Sequence, residues 1–117
     1  MSVKIELTND HNLRLFYKRL KDNEKNLPKL NAIRDELTQK EQNIRSEKRK
    51  TDNEIRSLMQ RHIGTPVYYV PNMLRRVDPD IRRKNHYKSG LDKTLRFTLY
   101  QLQRVRHAIK VCERNTG

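Results

Sequence analysis

SGLDKTLRFTLYQLQRVRHAIKVCERN, residues 89–115, decides the fold class. Leu91, Leu95, Thr98, Leu102, Val105, Ile109 and Cys112 follow one another at alternating intervals of four and three residues. At 100° per residue these positions share one helical stripe, widened by Leu99 and Ala108. Arg96, Tyr100, Arg104, His107, Lys110 and Arg114 fall on the opposite side. Burying each large apolar side chain is worth about 1.5–3 kcal/mol before ordering entropy is deducted. A helix built this way needs a second helix to lie against. Ser89 followed by Asp92 predicts a capping-box variant at its start, with Lys88, Ser89 and Gly90 as a break before it.

Working outward, PNMLRRVDPDIRRKNHYKSG (71–90) reads as one or two short helices over 72–88, with Asp78 as a cap and Pro79 in a first helical position. Upstream, the VYYV of Val67 to Val70 is bracketed by Pro66 and Pro71, so 64–71 is expected to be an extended loop. It would pair with 3–7, where Val3, Ile5 and Leu7 alternate with polar residues. As a plain reading VYYV covers a helix end; as a functional one it is a plug that inserts into a neighbour.

From Pro28 to about His62 no Gly or Pro interrupts a run of good helix formers, predicting a helix over 28–63 roughly 50 Å long. Its pattern admits two periods. Leu30, Leu37, Ile44 and Leu58 fit a heptad with Thr51 in the gap, whereas Ile33, Ile44 and Ile55 recur every eleven residues. The alternate seam positions of the heptad are Lys40, Glu47 and Glu54, which a tight left-handed dimer would not choose. The expectation is a helix packed at both ends, its middle projecting as a thinly covered arm. Before it, Leu13, Phe16, Tyr17, Leu20 and Leu27 mark one face of a first helix within 1–27, ended or kinked by Pro28. Thr8, Asn9 and Asp10 are its candidate caps.

The predicted fold is therefore a single basic all-α domain, an elongated helical hairpin or three-helix arrangement with one long, partly exposed, coiled-coil-like helix. With 33% hydrophobic and 35% charged residues in 117, it supports a modest core rather than a deep pocket. No run approaches the roughly 20 apolar residues of a membrane span. MSVKIELTND lacks the apolar stretch of a signal peptide. The lone Cys112 is consistent with a reducing compartment, and an intracellular, nuclear or cytoplasmic setting is expected.

Charge is the strongest global fact. Residues 1–60 hold fourteen Lys/Arg against ten Asp/Glu, and 61–117 hold thirteen against four. An excess of this kind points to an anionic partner. Arg75, Arg76, Arg82, Arg83, Lys84 and Lys88, together with Arg96, Arg104, Lys110 and Arg114, are the candidate patch; Tyr87 and Tyr100 among them are candidates for stacking on a base. The plain alternative is a solvated face that confers solubility. Arg45, Lys48, Arg49 and Lys50 form a second basic group, but interleaved Glu41, Glu47, Asp52 and Glu54 favour an ordinary salt-bridged helix. KRK at 48–50 and RRVDPDIRRK also have the composition read by nuclear import machinery, a pattern common by chance in so basic a chain.

His11, His62, His86 and His107 sit in separate elements without ligand-spaced partners, so no metal site is expected; Gly64 and Gly90 are isolated, so no phosphate-cradling loop is expected either. Neither a cofactor, a small-molecule substrate nor an enzymatic activity is anticipated. Two functions remain open. One is nucleic-acid binding through phosphates, DNA or RNA, with little sequence preference. The other is a structural or adaptor subunit of a large assembly, docking on acidic protein surfaces through the long helix and the VYYV plug. Self-association through the long helix fits either.

Overall fold

The computed structural model describes residues 10–60 and 78–116. The chain is all-α: α1 spans Asp10–Asp22, α2 Leu27–Met59 and α3 Pro79–Thr116. The body is 67 Å long and 25 by 22 Å across. The extended segments expected at 3–7 and 67–70 lie outside the described residues, as do the loop 64–71, Arg75 and Arg76.

Local signals set the helix starts. Asn26 caps α2, its side chain accepting from the Lys29 N–H at 3.3 Å, with Pro28 in the first turn, where its missing N–H costs nothing. Asp78 caps α3 in the same way, accepting from the N–H groups of Asp80 at 2.9 Å and Ile81 at 3.4 Å. Helix α1 stops earlier than Pro28 alone would require. The Asn23 side chain donates to the Arg19 carbonyl at 2.8 Å and closes a turn through Asn26, so Leu27 opens α2 instead of ending α1.

The break expected at 88–90 does not form, and α3 runs through Ser89 and Gly90 as one helix of 38 residues. A glycine inside a helix costs about 1 kcal/mol, an amount that packing on both sides of it overrides. The reason is legible in the seam. The alternation of three and four continues backwards from Leu91 through Lys88 and Lys84 to Ile81, which is buried. Residues 79–88 are thus the first turns of the same amphipathic helix, not separate short helices.

That continuity removes the projecting arm. Helices α2 and α3 pair antiparallel along most of their length. At one end Leu30, Ile33 and Leu37 meet Leu102, Val105, Ile109 and Cys112, with Phe16 of α1 closing the cluster. Midway, Ile44 is packed against Leu91 and Leu95 and is 0% exposed. Beyond it the seam turns polar as far as buried Ile81. Thr51 is buried and donates to its own helix at the Glu47 carbonyl, 2.8 Å away, so its hydroxyl needs no partner across the seam. Thr51 is buried as the heptad requires, while Ile55 and Leu58, the last members of the two periods, are both partly exposed. The heptad residues Leu30, Leu37 and Ile44 of α2 are covered within the same chain, largely by α3.

Candidate functional site

The polar half of the hairpin sorts the cations. Lys84 is bonded to Glu54, Lys88 to Asp52, and Lys48 to Asp92. Partner numbers fall on α3 as they rise on α2, the order of antiparallel helices. Glu54 is held below the usual carboxylate range, chiefly by the hydrogen bond from Lys84. Lys84 and Lys88, expected in the basic patch, thus face inward and are neutralised by carboxylates of the chain's first half. Tyr87 turns the same way. Its hydroxyl donates to Glu47 at 3.3 Å, and partial burial followed by the Glu47 charge pushes its phenol up. Its hydroxyl is tied to α2, while its ring is 36% exposed and lines a depression with His86 and Lys93.

What remains outside is ordered. Arg82, His86, Ser89, Lys93, Arg96, Tyr100, Gln103, His107, Lys110 and Arg114 again alternate by four and three, and every one of them is exposed. They form one stripe along α3, opposite the seam and about 48 Å long at 1.5 Å per residue. It contains no carboxylate. Asp80 pairs with Arg83 and Asp92 with Lys48, while Glu113 lies off the stripe, one residue and about 100° from Arg114.

Five expected patch cations, Arg82, Arg96, Arg104, Lys110 and Arg114, therefore share the outer surface, Arg104 on its flank. Lys93 and Arg106 join them, and neither was singled out from the sequence. Counting back from Arg114 by the four-three rule reaches Lys93 directly; the presumed break at Gly90 hid that His86 and Arg82 continue the line. Among the described residues none of these seven cations is paired with a carboxylate.

Shallow depressions follow one another along this face. One is lined by Arg83, His86, Tyr87, Ser89, Gly90, Lys93 and Arg96, the next by Lys93, Arg96, Phe97 and Tyr100. A third is lined by Tyr100, Gln103, Arg104, Arg106, His107 and Lys110. Helix α1 brings the Tyr17 phenol near that of Tyr100. Interaction between the two phenols raises the pKa of Tyr17 and lowers that of Tyr100, and Arg104 beside them favours both phenolates. The Arg104 guanidinium sits 5.5 Å from the centre of the Tyr100 ring, within cation–π range.

No family model matches this chain, and no curated protein or solved structure matches it either. Among the described residues no three His, Cys, Asp or Glu side chains gather where a metal ion would sit, and no helix is long and apolar enough to cross a membrane.

The second basic group divides. Arg45 pairs with Glu41 at 3.1 Å and Lys48 with Asp92, while Arg49 and Lys50 are exposed without a salt bridge among the described residues.

Proposed function

We propose that the protein is a non-enzymatic nucleic-acid-binding module that holds phosphates along the outer face of α3, with little sequence preference. One observation carries the reading: seven exposed cations, none in a salt bridge among the described residues, lie along the outside of α3, five of them on a stripe without a carboxylate. Folding ties Asp52, Glu54 and Asp92 to lysines across the hairpin and leaves these cations outside. Five of the seven are arginines, whose forked donors suit phosphate oxygens. Binding of this kind draws on counterion release and needs no base readout. The lone cysteine suits a reducing, intracellular setting.

The test is a salt titration of binding to labelled oligonucleotides, duplex and single-stranded, by fluorescence anisotropy. Engagement of about six phosphates predicts roughly a thousandfold loss of affinity between about 50 and 200 mM salt. Reversing Arg96, Arg104 and Lys110 to Glu removes at least three contacts and flattens the log–log slope by about three. Indifference to both oligonucleotides at low salt overturns the reading and assigns the stripe to an acidic protein surface instead.

A further inference from the structure

The line of charge is interrupted near its middle by two aromatic rings. Phe97 and Tyr100 stand one helical turn apart, so their side chains are neighbours on the surface. Neither belongs to an apolar cluster of the core. Tyr100 is 41% exposed, and the depression that the two rings line with Lys93 and Arg96 is mostly apolar. A single exposed aromatic on a soluble protein needs no explanation. Two neighbouring rings with cations on each side are a different arrangement. Lys93 Nζ lies 6.0 Å from the centre of the Phe97 ring, and Arg104 stands over Tyr100 at 5.5 Å.

We infer that this segment takes unpaired nucleotides, with bases stacked on Phe97 and Tyr100 and the adjoining phosphates held by Arg96 and Arg104. The inference rests on the phosphate-binding reading of the stripe and adds a preference for single strands to it. Every base has a π-face, so stacking tolerates sequence, but in a duplex those faces are already covered by neighbouring base pairs. Phosphates are present in both forms. Charge alone therefore binds either, and the rings separate them.

The experiment compares an oligothymidine and an oligouridine of roughly 20 nucleotides with a duplex of the same length, using the full chain and the variants Phe97→Leu and Tyr100→Leu. Leucine keeps apolar bulk and helix propensity, and circular dichroism melts confirm that each variant folds. The expected result is single-strand binding about tenfold or more tighter than duplex binding at equal salt. Each leucine variant should lose about fivefold or more in single-strand affinity, with duplex affinity and salt slope unchanged. Equal wild-type affinity for both forms, or variants that keep their single-strand affinity, overturns the stacking and leaves the phosphate reading standing. Absence of binding to every oligonucleotide at low salt overturns both.

Discussion

Lys84 of α3 and Glu54 of α2 meet at seam positions that a tight coiled coil fills with leucine. Together with Lys88–Asp52 and Lys48–Asp92 they form a ladder that fits only one register. A slip of one heptad would set Glu54 opposite Leu91 and leave its charge half-buried and unpaired, which is costly. The ladder thus selects alignment more than it adds stability, because its side chains remain partly solvated and such pairs are worth little individually.

Reversing one rung should show this. Lys84→Glu is expected to destabilise the hairpin by about 0.5–1 kcal/mol in urea denaturation, and Glu54→Lys added to it should restore most of the loss. A double variant no more stable than the single one would mean that the two side chains do not couple.

Acid should loosen the same elements. The carboxyl groups of Glu54 and Glu36 are held below their ordinary value, chiefly by hydrogen bonds from Lys84 and Arg19. A depressed carboxylate contributes its stability above the unfolded value of about 4.3 and loses it as pH falls through the folded value. The melting temperature is therefore expected to hold from neutrality to about pH 5 and to fall below it. The Glu36→Gln, Glu54→Gln double variant should melt lower at neutral pH and decline less steeply in acid. An equally steep decline would place the acid sensitivity in other carboxylates.

Gly90 offers a test of helix continuity. At an interior helical position, beside an open depression, Gly90→Ala is expected to stabilise the protein by about 0.5–1 kcal/mol. Were residues 88–90 a true break with glycine in a left-handed conformation, the same change would destabilise.

Two lysine and arginine positions that look alike in the sequence should behave differently. Lys88→Glu strikes the seam at Asp52 and is expected to lower the melting temperature with little change in oligonucleotide affinity. Arg96→Glu lies outside and should do the reverse, removing about one unit of salt slope while leaving the melt unchanged. Affinity lost equally in both variants would count against the division of the cations.

The tyrosines at the α1–α3 contact should titrate apart. Tyr100 is lowered from the ordinary value near 10 and Tyr17 is raised, chiefly through the interaction of the two phenols. Ultraviolet difference titration of Tyr17→Phe and Tyr100→Phe against wild type should show Tyr100 ionising at the lower pH, and Arg104→Gln should move it upward. Identical midpoints would mean that the two hydroxyls do not meet in solution.

The amino-acid sequence alone determined much of what is settled within a few residues of chain. The stripe from Leu91 to Cys112 makes an amphipathic helix wherever it lies, Pro28 marks the first turn of α2, and Asp78 with Pro79 starts a helix, because caps and periodicity act locally. The outer positions Arg96, Lys110 and Arg114 followed from the same count. What the string left undecided were questions about the opposite side of a seam. Whether α3 passes through Gly90 depends on α2 rewarding the extra turns with burial, and the only local sign of it is the three-four alternation running back to Ile81. Lys84 and Lys88 read as surface cations until Glu54 and Asp52, some thirty residues away, are brought against them. Tertiary structure decided which charges are spent on the hairpin and which are left for a partner, since that depends on distance in space, which the antiparallel register sets.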